Sequence, residues 1–260
     1  MKVLFWNLKG NDLKSYIEKL ITEHEIDVAV FAEYDAIDFH QIESDTKNAY
    51  RHVIGIGACN KITLLIKSSI AIKFTHEQSR YIIVNFEIAG ENMIMAGTHL
   101  QDRWSTDTAT RLITIRRLIQ DISNVEERCG SKKTIIIGDF NANPYDDELL
   151  LADAFNAVLF KDVIKQSETC KVADNTYRRF YNPILNFISE DTKMYGSFHN
   201  TTSANSPVWH CLDQVIVSKA LCDRIININY LKNAGKQSLI SRIKPNSKIS
   251  DHLPLLVDFS

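Results

Sequence analysis

The sequence predicts a protein of the α/β class. Amphipathic helical patterns are interspersed with short apolar runs of strand character, and polar clusters stand at the ends of several of those runs. The 260 residues are 45% hydrophobic and 24% charged, which is typical of a globular protein with a sizeable core. Because no repeat, low-complexity segment or linker divides the chain, we expect one domain over residues 1–260.

The first predicted elements are a strand, a helix and a second strand. Val3–Trp6 is an apolar run that leads into Asn7. After the turn and cap chemistry of Gly10–Asp12, apolar residues at positions 13, 16, 17, 20 and 21 repeat with helical spacing. Ile26–Ala32 is the next predicted strand, and Glu33 follows its end.

Residues 50–100 show no helical period and predict a succession of short strands. We interpret them as an antiparallel meander with the runs Tyr50–Ile56, Ile62–Ile66, Ile70–Phe74, Tyr81–Ile88 and Asn92–Leu100. Ser105–Asp107 then has the composition of a helix start. An apolar stripe from Ala109 to Ile122 predicts the helix itself, with the arginines at 111, 116 and 117 off the stripe.

The remainder of the chain predicts further strands and one more helix. The β-branched run Thr134–Ile137 is followed by the polar loop Gly138–Pro144. We expect a helix over Asp147–Phe160 and loops with short strands over Thr169–Val208. The last predicted strands are Leu212–Val217, Ile225–Leu231 and Leu255–Phe259.

Charge and cysteine content narrow the classes of protein. A net charge of -2 and a pI near 6.4 argue against a generally basic nucleic-acid coat. The basic segment Lys219–Lys248 is either a local basic flank or an ordinary solvated surface. Five scattered cysteines without metal-ligand spacing favour reduced thiols and a cytoplasmic location. The N-terminus has no signal-peptide pattern and no apolar run reaches bilayer length, so we expect no membrane span.

Several polar residues share one kind of position, the end of an apolar run. They are Asn7, Glu33, His99, Asp139, Asn141, Asp251 and His252. Strand ends from distant parts of a chain can meet at one edge of a sheet assembly. Asp139 and Asn141 are two residues apart, so they can point the same way, orient a water and hold an oxyanion. Taken singly, each residue also has an ordinary explanation as a turn residue or a solvated side chain.

Short motifs occur in a fixed order along almost the whole chain. They are Phe5-Trp6-Asn7, Ala32-Glu33, Gly97-Thr98-His99-Leu100, Gly138-Asp139-Phe140-Asn141-Ala142-Asn143-Pro144, Leu212-Asp213-Gln214-Val215 and Ser250-Asp251-His252-Leu253-Pro254. In residues and order, this set resembles the endonuclease/exonuclease/phosphatase superfamily. The resemblance implies a four-layer α/β-sandwich of the DNase I type, in which two packed mixed β-sheets are flanked by helices. It places the site in a cleft along one rim of the sandwich.

The resemblance also implies a metal site. Glu33 is similar to the family's metal-binding carboxylate, and Asn7 and Asp251 are similar to the residues that assist it. Hard oxygen ligands of this kind suit Mg²⁺ or Mn²⁺.

The same resemblance implies roles in hydrolysis of a phosphoester. Asp139 would align and deprotonate the attacking water, and Asn141 would hydrogen-bond the phosphoryl oxygens. His252, held in its tautomer by Asp213, would face the scissile phosphate as a stabilising charge or a proton-transfer group. His99 would contact the same phosphate from the other half of the molecule.

Departures from the family pattern disfavour some branches of the superfamily. AP endonucleases carry a tyrosine where His99 stands, which disfavours that branch. The segment Trp209–Gln214 is only superficially similar to the Trp-Cys-Asp-Arg motif of inositol 5-phosphatases. Ala32 replaces the glutamine that often precedes the metal-binding glutamate. The overall pattern is similar to that of bacterial members of the superfamily.

Candidate substrate-binding residues lie outside these motifs. Arg178, Arg179 and Tyr181 belong to a run that interleaves aromatics with arginines, which either clamps a nucleic acid strand or forms a packed strand with solvated arginines. Arg103 follows His99 closely enough to line the cleft.

We therefore expect a metal-dependent phosphodiesterase, and a nuclease that hydrolyses DNA or RNA is the favoured interpretation. One alternative is an enzyme for a small phosphorylated metabolite, signalling nucleotide or lipid headgroup. Another is a catalytically silent binding module. The sequence carries no indication of an oligomeric state.

Overall fold

The computed structural model describes residues 1–190, 193, 195–202 and 208–260. The strands, in chain order, are β1 (Lys2–Asn7), β2 (Val28–Ala32), β3 (Tyr50–Val53), β4 (Ile62–Lys67), β5 (Ala71–Gln78), β6 (Tyr81–Ile88), β7 (Glu91–His99), β8 (Thr134–Asp139), β9 (Ala157–Val158), β10 (Thr169–Val172), β11 (Asn175–Arg178), β12 (Phe180–Tyr181), β13 (Phe198–His199), β14 (Trp209–His210), β15 (Asp213–Val217), β16 (Ile225–Tyr230), β17 (Asn233–Ala234), β18 (Gln237–Ser238), β19 (Ile240–Ser241), β20 (Lys244–Pro245) and β21 (Leu255–Phe259). The helices are α1 (Lys14–Glu23), α2 (Phe39–Asp45), α3 (Thr108–Cys129), α4 (Asp147–Leu150) and α5 (Lys161–Gln166).

Two large sheets contain most of the long strands. The first has the order β16-β21-β1-β2-β4-β3, and the second has the order β5-β6-β7-β8-β15-β12-β9. Both sheets are mixed, because β1 pairs with β2 in parallel and β7 pairs with β8 in parallel while most other neighbours are antiparallel. The remaining short strands form the two-stranded ribbons β10-β11, β13-β14, β17-β18 and β19-β20.

Side-chain alternation along β8 shows how the layers stack. Ile135 and Ile137 belong to the core cluster that the two sheets share, whereas Ile136 belongs to a second cluster with residues of α3. Because successive strand residues point to opposite faces, β8 is covered by the first sheet on one side and by α3 on the other. On the first sheet, β1 and β2 are buried on both faces, and Ile17 and Leu20 of α1 join their cluster. The predicted sandwich of two mixed sheets between outer helices is confirmed.

One rim of the sandwich gathers the ends of its central strands. The parallel pair of the first sheet ends there at Asn7 and Ala32. The parallel pair of the second sheet ends there at His99 and Asp139. β15 starts at the same rim, with Asp213 opposite Asp139 in antiparallel register. The loops that follow these strands therefore surround one cleft.

The strands predicted between residues 50 and 100 form, but the prediction of a single meander is wrong. β3 and β4 pair in the first sheet, while β5, β6 and β7 form an antiparallel meander in the second. The chain changes sheets in a tight turn, where the Ile70 N–H donates to the Lys67 carbonyl at 2.9 Å. A short connection does not reveal which sheet the next strand joins, because strand pairing depends on contacts with distant segments.

The helix predicted over Asp147–Phe160 is wrong beyond its first turn. α4 ends at Leu150, and Asn156 has a left-handed φ of 48° just before β9. Phe155 is buried in the cluster beneath α3, so a turn rather than a helix delivers it to the core. The short helices α2 and α5 were not expected, because seven and six residues are too few to show a helical period.

Candidate active site

Asn7 holds two carboxylates together at the centre of the cleft. Its side-chain Nδ2 donates to Glu33 Oε1 at 3.0 Å and to Asp139 Oδ2 at 3.1 Å. Asn7 is buried at the end of β1, whereas the Glu33 side chain is 40% exposed. Glu33 has a left-handed φ of 50°, so its side chain leaves the alternation of β2. The amide thus fixes two acidic groups that the sequence separates widely.

His99, the last residue of β7, adds an imidazole to these carboxylates. Its Nε2 lies 3.6 Å from Glu33 Oε1 and 3.8 Å from Asp139 Oδ2. Its Nδ1 is buried and has no hydrogen-bond partner among the described residues. Within the described part of the chain, no lysine or arginine forms an ion pair with Glu33 or Asp139. This side of the cleft therefore has a surplus of negative charge.

His252 and Asp213 form the other side of the site. His252 Nδ1 lies 2.7 Å from Asp213 Oδ2, and His252 Nε2 lies 3.9 Å from Asp139 Oδ2. Burial alone would lower the pKa of His252, but the Asp213 carboxylate outweighs it and raises that pKa to about 10. Burial raises the pKa of Asp213 as well. Both shifts favour a proton held within the Asp213–His252 pair at neutral pH.

Contacts with other parts of the chain fix the His252 ring. The His252 N–H donates to Ser250 Oγ at 3.0 Å, and its carbonyl accepts from Trp6 Nε1 at 3.0 Å. Ser250 Oγ donates in turn to the Asn7 carbonyl at 2.8 Å. The Phe198 ring packs against the imidazole with 5.0 Å between centroids. These contacts tie the loop near the C-terminus to the end of β1.

Arg111 fixes the loop that follows β8, and sequence reasoning did not identify it. The fully buried guanidinium donates to the carbonyls of Phe140 (3.2 Å) and Asn141 (3.1 Å) and also to that of Gln101. Its Nε lies 3.0 Å from Glu148 Oε1 on α4. The prediction that Arg111 lies off the buried stripe of α3 is wrong, because Arg111 is buried on the same helix face as Ile115 and Leu118. A charged residue is accepted there because the fold brings the acidic Glu148 to it, and the local sequence does not show this partner.

The ribbon β13-β14 contacts the same loop from the other side. Asn143 Nδ2 lies 3.1 Å from His210 Nδ1, and Asn143 Oδ1 accepts from the Cys211 N–H at 3.1 Å. Gln214 Nε2 donates to the Ala142 carbonyl at 2.6 Å. Burial lowers the pKa of His210. His210 is thus a second residue of the site region that was not expected from the sequence.

The three residues predicted to bind a metal occupy different surroundings. The exposed carboxylate of Glu33 faces His99, as described above. Asp251 forms an ion pair with Lys9 Nζ at 3.1 Å. Asn7 Oδ1 accepts from the Lys9 N–H at 3.0 Å, so its amide presents nitrogen, not oxygen, to the two carboxylates. Among the described residues, a further compact group of potential metal ligands consists of Asp139, Asp213 and His252.

Two other predicted residues lie at the cleft and already have partners. Asn141 Nδ2 donates to the Leu100 carbonyl at 2.9 Å, which leaves one amide hydrogen for another acceptor. Arg103 pairs with Asp146 at 2.8 Å and with Glu148 at 2.6 Å, and its side chain is 43% exposed. Both side chains therefore border the loops that carry the site.

The remaining predicted substrate-binding residues make contacts within the fold. Arg178 pairs with the buried Glu126 and lies over the Phe180 ring. Arg179 donates to the carbonyls at positions 167 and 169. Tyr181 is buried, and its hydroxyl accepts from Asn186 Nδ2 at 2.8 Å. Within the described residues, none of the three touches the carboxylate and imidazole cluster.

The sequence matches a family model described as the Endonuclease/Exonuclease/phosphatase family over residues 4–252. The chain belongs to this family. Since the family comprises phosphoester hydrolases, membership supports hydrolysis of a phosphoester. A comparison with curated proteins gave no match.

Solved structures of the endonuclease/exonuclease/phosphatase superfamily share the fold. Truncated Caenorhabditis elegans TDP2 has 14% identity and a TM-score of 0.61, covering 100% of this chain and 97% of that one. The human nocturnin catalytic domain with bound sulfate has 17% identity and a TM-score of 0.60, with 100% and 94% covered. The 3′ phosphatase NExo from Neisseria, bound to a product DNA hairpin, has 14% identity and a TM-score of 0.59, with 100% and 99% covered. At these identities the likeness concerns the fold alone.

In the part of the chain that the structure describes, no helix has the length and apolarity needed to cross a bilayer.

Proposed function

We propose that this protein is a divalent-metal-dependent phosphodiesterase that hydrolyses DNA or RNA. The observation that carries the proposal is the convergence of two carboxylates, Glu33 and Asp139, with the Asp213–His252 pair in one cleft. In-line attack on a phosphodiester needs a positioned water, neutralised phosphoryl oxygens and help for the leaving alkoxide. The cleft contains groups suited to each task.

A divalent cation fits the edge of the site formed by Glu33 and Asp139. Both carboxylates lie within 3.1 Å of the Asn7 amide nitrogen, and their negative charge has no lysine or arginine partner among the described residues. Such hard oxygen ligands suit Mg²⁺ or Mn²⁺. Asp213 is a weaker candidate ligand, because it already accepts a hydrogen bond from a charged imidazole. A bound ion would neutralise charge on the phosphoryl oxygens.

Asp139 is assigned to the attacking water. Its Oδ1 accepts from the Asn141 N–H at 2.9 Å and its Oδ2 accepts from Asn7, so the carboxylate is held in one orientation. The 3.9 Å between Asp139 Oδ2 and His252 Nε2 is too long for a hydrogen bond. Both groups therefore keep hydrogen-bonding capacity for a third group between them, which is the position required of a reacting water or phosphoryl oxygen.

We assign His252, His99 and the Asn141 side-chain amide to contacts with the phosphate of the substrate. The His252 imidazolium, oriented by Asp213, would stabilise negative charge that develops on the phosphoryl oxygens or protonate the leaving alkoxide. His99 approaches the same point from β7, and the second amide hydrogen of Asn141 is available to a phosphoryl oxygen.

Nucleic acid is the proposed substrate class. Arg103 is 43% exposed, and the neighbouring Trp104 is 87% exposed, so a cation and an aromatic ring stand together on a loop that follows His99. Such pairs bind the backbone and the bases of single strands. NExo, with the same fold, was solved with a DNA product.

We further propose that residues 1–260 form one catalytic domain, because the site draws residues from both ends of the chain. All five cysteines are free, which supports a reducing compartment such as the cytoplasm.

The test is a panel of single- and double-stranded DNA, RNA, cyclic nucleotides and phosphoinositides with Mg²⁺, Mn²⁺ or EDTA. We expect cleavage of a nucleic acid that requires the metal and is lost in Asp139→Asn. Asp153→Asn, an exposed carboxylate that pairs with Arg116, is the matched control and should keep full activity. Turnover of a small phosphoester with every nucleic acid left intact would contradict the nuclease assignment. Undiminished activity in EDTA would contradict the proposed dependence on a divalent metal.

A further inference from the structure

We propose that Arg80 forms a subsite for a second phosphate of the substrate, next to the phosphate that is cleaved. The inference rests on the proposed function and specifies its substrate class, because it requires a substrate with neighbouring phosphates.

Arg80 is the turn residue directly before β6, and a hydrogen bond places it opposite His99. Tyr81 pairs with Thr98, and the His99 N–H donates to the Arg80 carbonyl at 3.0 Å. Residues directly opposite in an antiparallel ladder have Cβ atoms about 4.5–5.5 Å apart and lie on the same face. The Arg80 side chain therefore belongs to the strand face that carries His99.

That face is the one turned to the first sheet. A Cβ atom on Gly97 would lie 2.8 Å from Val30 Cγ1 of β2, so Gly97 faces the first sheet. Ile82, paired with Gly97, faces the same way. Because strand side chains alternate, Arg80 and His99, each two residues beyond this pair, continue the same face into the cleft.

Arg80 is a cation without a protein partner at this position. Within the described part of the chain, its guanidinium forms no hydrogen bond and no ion pair. Arg103 and Arg111, the other arginines near the site, both pair with Glu148. The nearby carboxylate of Glu77 accepts instead from backbone N–H groups at positions 58 and 59. An unpaired guanidinium has the planar set of donors that a phosphate accepts.

The position of β6 separates this cation from the reacting centre. β6 is two strands away from β8, which carries Asp139, and strands lie about 4.8 Å apart, so the offset along the rim is about 10 Å. Arg80 forms no ion pair with Glu33 or Asp139, where the cleaved phosphate and the cation are proposed to bind. The phosphate assigned to Arg80 is the neighbour of the phosphate being attacked, as in a polynucleotide.

The loop between β3 and β4 lies over the turn that contains Arg80. Cys59 Sγ approaches the Ser79 carbonyl at 4.0 Å, and the Ala58 N–H donates to Glu77 Oε2 at 2.9 Å, which holds the loop in place. Ile54 and Ile56 of this loop are 72% and 82% exposed. This loop therefore borders the turn that contains Arg80.

The test compares Arg80→Ala and Arg80→Lys with wild type on two substrates. One is an oligonucleotide, and the other is bis(p-nitrophenyl) phosphate, which has a single phosphate. For the oligonucleotide, Arg80→Ala should raise KM roughly tenfold to a hundredfold. The salt dependence of oligonucleotide binding should fall by the equivalent of about one phosphate contact. Arg80→Lys should recover part of both the KM and the salt dependence. Activity on the single-phosphate diester should stay unchanged. Arg116→Ala, on the exposed face of α3, is the control.

An equal loss on both substrates would overturn the proposal, because Arg80 would then act on the cleaved phosphate or on the fold. Unchanged oligonucleotide kinetics and salt dependence would also overturn it. Binding of the oligonucleotide to Asp139→Asn and to Asp139→Asn/Arg80→Ala, followed by fluorescence anisotropy, tests the subsite without turnover. If wild type cleaves neither substrate, the proposed function is wrong. If the two variants bind the oligonucleotide with equal affinity in the anisotropy titration, the Arg80 subsite is rejected independently of cleavage.

Discussion

His252 Nδ1 and Asp213 Oδ2 lie 2.7 Å apart in the interior of the cleft, although 39 positions separate the two residues in the sequence. Asp213 begins β15, and His252 precedes β21, so the pair joins the two sheets at the rim. Because both side chains are buried, the carboxylate stabilises the imidazolium with little screening by solvent.

Asp213→Asn should return the pKa of His252 from about 10 towards or below its ordinary value of 6.5. The substitution removes the charge that favours the imidazolium and leaves the burial that opposes it. NMR titration of the His252 ring measures the shift directly, and activity at neutral pH should fall roughly a hundredfold or more. An unchanged His252 pKa in Asp213→Asn would mean that another carboxylate supplies the charge.

The same pair makes stability depend on pH. The folded-state pKa of His252 is raised above its ordinary value, so its stabilising contribution is complete below about pH 6.5 and is lost as the pH rises through about 10. The free energy of unfolding of wild type should therefore decrease over this range relative to His252→Gln. Urea denaturation at several pH values measures the difference, and parallel curves for the two proteins would contradict it.

Glu33→Gln should weaken binding of Mn²⁺ or Mg²⁺ by at least about a hundredfold, because even residues that only support metal ligands contribute about 10–100-fold. The fold should persist, since the Glu33 side chain is 40% exposed. Isothermal titration calorimetry with the metal measures the affinity. Glu127→Gln, on an exposed position of α3, is the matched control, and equal affinities in the two variants would reject Glu33 as a ligand.

Asn7→Asp should make stability depend on the metal. A third carboxylate would replace the amide that now donates to Glu33 and Asp139, so the protein without metal should lose about 1–3 kcal/mol of unfolding free energy. A divalent cation should restore part of this loss by neutralising the group. Thermal unfolding in EDTA and in Mg²⁺ compares the two states, and a deficit that is the same in both would count against a cation at this edge.

Arg111→Met should destabilise the fold by about 3–5 kcal/mol, because it leaves three carbonyls without a donor and leaves the buried Glu148 with only the half-exposed Arg103 as a partner. Arg111→Lys should recover little, since one ammonium group cannot serve the three carbonyls that the guanidinium reaches. Urea denaturation gives the free energies. Arg116→Met, whose partner Asp153 is exposed, should change stability by less than about 1 kcal/mol.

Much of the strand framework and of the site was predictable from local signals. The apolar runs that end in Asn7, His99 and Asp139 are long enough to show strand character, and they appear as β1, β7 and β8. The order of the motifs identified the family, which the match over residues 4–252 bears out. The roles given to the individual residues stay predictions.

The sequence by itself determined most of the long strands of the two sheets, and it set polar residues at their ends, because both are properties of neighbouring residues. Only the tertiary structure decided that β3-β4 and β5-β6-β7 belong to different sheets, since that choice depends on contacts between distant strands. The same is true of Arg111, Asp251 and Arg178, whose partners come from elsewhere in the chain. The tertiary structure also decided that Arg80 lies opposite His99, because the register of the two strands, not the local composition, aligns these residues.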